Sequence, residues 1–150
     1  MSEDQSITDP TLGVLARAVT ELPDGPALTH DWYSGRVNVD GADVDLVIEG
    51  ASAEGVTALL PYTRQALTAL PTLRRLATDA VVTQFSAEEP KPQELQEAHA
   101  DLALETLQTC ADGTVVLHFT DTCGEHFLDG YWPAVRIGTD GQISDVTVEA

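Results

Sequence analysis

Bases are what this sequence has least of. Lys91 is its only lysine, and with six arginines the chain sets 7 basic residues against 25 Asp and Glu, a formal net charge of -18 over 150 residues. A nucleic acid gains affinity by exchanging its counterions for Lys and Arg, so nucleic acid is excluded as a direct partner, and anionic membrane surfaces are disfavoured on the same ground. Cysteine is nearly as scarce: Cys110 and Cys123 are the only two, too few for the disulfide framework of a small secreted domain. No apolar run approaches the roughly 20 residues that cross a bilayer. The opening Met1-Ser2-Glu3-Asp4-Gln5-Ser6 is acidic and polar where a signal peptide would be basic and then apolar. The expected location is therefore the cytoplasm. The Gly-rich phosphate loops of nucleotide sites and the Gly-x-Ser-x-Gly turn of a serine nucleophile are also missing, so no nucleotide cofactor is expected.

What is present suffices for a folded core. Apolar residues make up 43% of the chain, an ordinary globular share, so the acidity reflects too few bases and not a missing interior. The length suits one domain, expected over residues 11–150 after a short tail at 1–10. The acids are spread from Glu3 to Glu149 and never run more than two together. Such a distribution suits a solvated surface that stays soluble by self-repulsion; a clustered face that mimics DNA or neutralises a basic protein is the alternative.

Periodicity gives the organisation. Leu12, Val14, Ala16 and Ala18 alternate, which predicts a first strand with those four on one face, and Pro23-Asp24-Gly25-Pro26 ends it with turn residues. Trp32 to Val39 and Ala42 to Glu49 flank Asp40-Gly41, a dipeptide suited to a two-residue hairpin turn. Val37 and Val39, with Val44, Leu46 and Ile48, fall on one face, while Arg36, Asn38, Asp43, Asp45 and Glu49 fall on the other. From Ser52, a candidate N-cap, the period becomes helical. Val56, Leu59, Leu60, Thr63, Leu67 and Leu70 recur at helical steps, with Pro61 predicting a kink or a fresh start near Leu60. A second stripe, Leu73, Leu76, Ala77, Ala80 and Val81, follows Pro71, and a short helix is predicted over 92–100. The period then returns to two, predicting strands over 102–110, 114–120, 127–137 and 142–148, with turns at Ala111-Asp112-Gly113 and Thr139-Asp140-Gly141. The fold class is therefore α+β: a mostly antiparallel sheet in the order β-β-β-α-α-(α)-β-β-β-β with helices packed on one face. Pro133 cannot donate to a ladder, which predicts a sheet edge or a bulge there, open to a partner strand.

Several of these words recur together. The opening Asp9-Pro10-Thr11-Leu12-Gly13, the hairpin from Trp32 to Gly41, Leu104-Glu105-Thr106-Leu107 through Asp112-Gly113 to Phe119, and the ending from Val135 to Val146 resemble bacterial domain families of uncharacterised role, most nearly domain of unknown function 2262 and its neighbour 2004. The resemblance spans most of the chain and implies a fold but no activity. A Gly-His pair in the penultimate strand of the first family has no counterpart here, where Gly130-Tyr131-Trp132-Pro133 stands instead.

Reactive side chains concentrate in one stretch, His118-Phe119-Thr120-Asp121-Thr122-Cys123-Gly124-Glu125-His126-Phe127-Leu128-Asp129. Asp121, Cys123, Glu125 and His126 form a donor set that zinc accepts when four ligands converge tetrahedrally, and Asp121, Glu125 and His126 could serve as acid and base. The spacing matches no structural zinc pattern, and a polar loop with Gly124 at its tip accounts for the same residues. His118 is expected on the wetter face of its strand, opposite Val115, Leu117 and Phe119. Cys110 and Cys123 are expected as thiols: with a turn at 111–113 they lie near 30 Å apart along an extended strand, against about 7 Å between the Cα atoms of a disulfide. Trp32, Tyr33, Tyr131 and Trp132 are either interface residues or core closures. Two functions are thus carried forward. One is a non-enzymatic cytoplasmic binding module with a basic protein partner and no cofactor; the other is an enzyme, metal-dependent or acid-base, using the 121–126 loop.

Overall fold

The computed structural model describes residues 6–123, 127 and 130–149. Along the chain lie β1 (Ile7–Asp9), β2 (Gly13–Thr20), β3 (Leu28–Val39), β4 (Ala42–Glu49), α1 (Ala53–Thr68), α2 (Leu70–Phe85), α3 (Pro92–Asp101), β5 (Leu102–Thr109), β6 (Val115–Asp121), β7 (Trp132–Ile137) and β8 (Ile143–Glu149). The strands form an eight-stranded sheet in sequence order. Every neighbouring pair is antiparallel except β4 and β5, which run parallel. Antiparallel neighbours can be joined by tight turns, whereas a parallel pair needs a long crossover. The three helices supply it, so two four-stranded meanders meet at a parallel seam.

The β3–β4 hairpin forms as its sequence dictates. Asp40 and Gly41 take φ of 52° and 88°, the positive values that fit a two-residue turn to the twist of its strands. Arg36 then lies opposite Asp45, and its Nε donates to Oδ1 at 2.9 Å. Val44, Leu46 and Ile48 are buried on the other face. The α1 N-cap is Ser52, whose Oγ accepts from the Gly55 N–H at 3.1 Å. Pro71 sits in the first turn of α2, and α3 begins at Pro92.

Four sequence expectations are corrected and one is narrowed. The segment assigned to a tail contributes β1, so four strands and not three precede the helices. In β2 the buried residue is Leu15, and Val14 is exposed. Leu12 precedes the strand, and Leu15 instead reaches the face of Leu46 across Gly35, where a Cβ would lie 2.5 Å from Leu15 Cδ2. Of the two outcomes expected at Pro61, the fresh start is not seen: helix α1 runs through it, and Pro61 is exposed, so the carbonyl it leaves unpaired one turn earlier can be hydrated. Leu76 is exposed and not part of the buried stripe of α2. Finally, β7, the strand of Pro133, is interior, between β6 and β8. The proline is accommodated because the β6–β7 pairing stops at His118 and Ala134, one residue short of it. The expected start of that strand at Phe127 falls partly outside the described residues, and Tyr131 lies just before it.

One core cluster gathers Tyr33, Leu46 and Ile48 from the first meander, Leu107, Leu117 and Val135 from the second, and Val56, Leu60, Leu70, Ala77 and Ala98 from the helices. Each fully buried leucine or isoleucine contributes about 1.5–3 kcal/mol relative to exposure. Cys110, Val116 and Ala134 form a separate small cluster on the opposite face of β6 and β7. Within the core Thr63 and Thr109 share a hydroxyl hydrogen bond at 2.6 Å, which fixes α1 on β5. Asp9, 6% exposed, accepts from the Thr11 and Leu12 N–H groups at 2.8 and 3.0 Å and pairs with Arg64 NH1 at 2.5 Å, tying β1 to α1.

Candidate functional site

The polar stretch after β6 is held by its carboxylates. Asp121 Oδ1 accepts from Cys123 Sγ at 3.3 Å, and Asp121 Oδ2 accepts from the Phe127 N–H at 3.0 Å. Thr122 donates both its N–H and its hydroxyl to the Asp101 carbonyl. Asp121 and Cys123 are thus brought together, while Glu125 and His126 lie outside the described residues. Among the described residues no group of three His, Cys, Asp or Glu side chains is gathered to hold a metal. Both cysteines are thiols, Cys110 buried and Cys123 exposed.

The aromatic candidates separate. Tyr33 is fully buried in the core, whereas its neighbour Trp32 is half-exposed and stacks on His30 with ring centroids 4.3 Å apart. Tyr131 is exposed and lines a cavity with residues of α2 and α3. Trp132 donates Nε1–H to His118 Nδ1 at 3.1 Å. β3 and β7 are four strands apart, about 19 Å at roughly 4.8 Å per step, so the two tryptophans do not make one patch.

His118 does lie opposite Val115, Leu117 and Phe119, half-buried. Indole can only donate, so Nδ1 carries no proton and Nε2–H donates to Gln108 Oε1 at 2.9 Å. Burial lowers the His118 pKa, outweighing the opposing pull of Glu149 and Glu105. The imidazole is a neutral strut between β5 and β7.

A further concavity lies elsewhere. A cavity of about 510 Å³ opens between the C-terminal end of α2, α3 and the ends of β5, β7 and β8. Val81, Val82, Ala98 and Leu102 make its apolar lining, and Phe85, Tyr131 and Val148 are exposed at its mouth. Phe85 meets Phe127 edge to face at 5.8 Å. Through the Phe127 N–H, Asp121 therefore anchors one wall of this cavity. Among the described residues the charged ones of the lining are Glu94 and Glu97, both exposed. The volume falls within the range of ligand pockets, which are mainly apolar with a few placed polar groups. A second cleft follows along the sheet edge, between Leu76, Asp79 and Thr83 of α2 and Ile143 to Val146 of β8.

No family model, curated protein or solved structure matches the chain. Any functional reading therefore rests on its own residues. Sequence reasoning missed Phe85, Glu94, Glu97 and Val148, which lie on three elements and converge only through the fold. One signal for them was available: Glu94 and Glu97 are one helical turn apart on α3, and Phe85 ends α2 one turn after Val81. Among the described residues no helix is long and apolar enough to cross a membrane.

Proposed function

We propose that this chain is a non-enzymatic cytoplasmic binding module that takes a basic protein partner at the cavity between α2, α3 and β8. The observation that carries the proposal is an apolar cavity of about 510 Å³ whose charged lining residues, Glu94 and Glu97, are both acids. Such a site suits an apolar side chain next to a Lys or Arg. The wider surface has the same sign, at -18 for the chain, and steers a cationic partner toward the site while repelling polyanions. The three helices are taken to cover one face of the sheet, so that the strip of Arg36, Asp45, Gln108 and His118 on the other face remains in water. No cofactor is needed for this role.

The test is affinity capture on the native chain and on a Glu94→Gln/Glu97→Gln variant, with the retained proteins identified and their charge determined. The expected result is a basic protein, released by salt and lost from the variant. Capture of acidic or neutral proteins only, or equal capture by the variant, overturns the proposal.

A further inference from the structure

Strand β8 closes one side of the sheet: among the described residues it pairs with β7 alone. Val146 donates its N–H to Asp145 Oδ1 at 2.9 Å, which places that N–H away from β7. By the two-residue alternation of a strand the N–H of Val148 faces the same way. An open edge of this kind invites pairing unless charge or a bulge blunts it. The first half of β8 carries both devices, the Asp145 carboxylate on Val146 and a register shift opposite Arg136 and Ile137. They stop short of Val148.

Beside this edge runs α2, and the two clefts described above lie end to end between them. Val146 packs on the core and Val148 lines the cavity of about 510 Å³, so both face the helices. Asp145 and Glu149, at alternate positions, face the other way. In the groove, Leu76 is 45% exposed and Phe85 53%, an apolar strip with nothing over it among the described residues. Asp79 also lines the groove and adds a carboxylate to it.

Resting on the reading above that the partner is a basic protein, we infer that an extended segment of that partner adds to β8 as a ninth strand and lays alternate side chains into the groove beneath α2. Strand addition supplies affinity through main-chain hydrogen bonds and specificity through alternate side chains. The faces set the pattern. Residues turned toward Leu76, Val148 and Phe85 are apolar; those turned toward Asp145 and Glu149 are Lys or Arg. A second copy of this chain does not fit, because pairing β8 with itself sets Asp145 and Glu149 against one another, and like charges across a strand pair destabilise it.

The probe is a heptapeptide alternating arginine with valine or phenylalanine, capped at both ends, and two derivatives of it. One is N-methylated at the arginine nitrogens and the other at the apolar nitrogens, so each has one edge blocked with charge and side chains kept. One derivative is expected to lose roughly tenfold or more in affinity, the equivalent of one good interaction, while the other binds like the parent. Binding should slow amide exchange at Val148 and weaken in Phe85→Ala. If the derivatives bind alike, strand addition is overturned while recognition of a basic partner stands. If the parent peptide does not bind at all, both fall. A dimer of this chain in sedimentation that protects the Val148 amide assigns the edge to a second copy and also overturns the inference.

Discussion

Replacing Asp9 probes the tie between β1 and α1, and two substitutions separate its parts. The carboxylate holds two backbone N–H groups through Oδ1 and Arg64 through Oδ2. Asp9→Ala removes all three at a site 6% exposed. Hydrogen bonds to charged groups contribute about 1.5–3 kcal/mol each and are not additive, so a total near 3 kcal/mol is expected. At about 2–4 °C per kcal/mol for a chain of this size, that is a fall of roughly 6–12 °C in Tm. Asp9→Asn keeps an oxygen for Thr11 and Leu12 but sets an NH2 donor where Oδ2 accepted from Arg64, so it loses the ion pair and its hydrogen bond with an Arg64 side chain that is 40% exposed. A pair so open to water contributes about 1 kcal/mol or less, so Tm should fall by no more than roughly 4 °C. The pH dependence has a definite sign. Burial alone raises the Asp9 pKa, but the Leu12 and Thr11 N–H groups and Arg64 outweigh it and hold it below its ordinary value. The native state then binds fewer protons than the unfolded one, and its advantage is complete above about pH 4 and lost as pH falls through the lower native pKa. Urea unfolding of wild type and Asp9→Asn should therefore converge on acidification. Equal losses in the two variants, or a gap that persists into strong acid, would refute the tie.

Further outcomes follow from other buried polar groups. The lowered pKa of His118 makes stability complete above about pH 6.5 and lost as pH falls through the native value. Trp132 emission should shift in the same range, and His118→Gln should flatten both curves; an unchanged emission curve in the variant contradicts the strut. His99, lowered by burial and then by Arg75 and Arg74, adds a slope of the same sign and should leave Trp132 emission untouched. Thr63→Val or Thr109→Val alone leaves a buried hydroxyl unpaired and should cost about 1–3 kcal/mol, while the double valine variant lies nearer wild type. Simple additivity in that cycle, measured by denaturant unfolding, would show that the two hydroxyls do not couple.

The features legible in the sequence are those fixed by local chemistry. Asp40-Gly41 can hardly do other than turn, Ser52 caps because its hydroxyl reaches Gly55, and Pro71 and Pro92 stand where a helix needs no N–H. What stayed hidden depends on distant partners. β1 is a strand of three residues with no period to read, held by a pairing between Asp9 and Arg64, 55 positions apart. In β2 both alternating sets are apolar enough to be buried, and only the neighbouring Gly35 admits Leu15. The parallel seam of β4 and β5 follows from where the helices return the chain, which no turn residue announces. Of the polar loop, Asp121 is a wall anchor that acts through Phe127, a role that carboxylate counting cannot reveal. The cavity itself is made by residues from Val81 to Val148, none informative alone.

The central claim, that the acidic cavity receives a cationic partner with an apolar anchor, is tested most directly by calorimetric titration of the arginine-alternating heptapeptide into the native chain at low and at near-molar salt. Affinity should fall at least about tenfold as the Debye length shrinks from roughly 10 to 3 Å. Glu94→Gln/Glu97→Gln should lose part of that salt dependence, the part carried by Asp145 and Glu149 remaining, and a peptide with glutamate for each arginine should not bind. Binding that ignores salt and is unchanged in the variant would contradict the account.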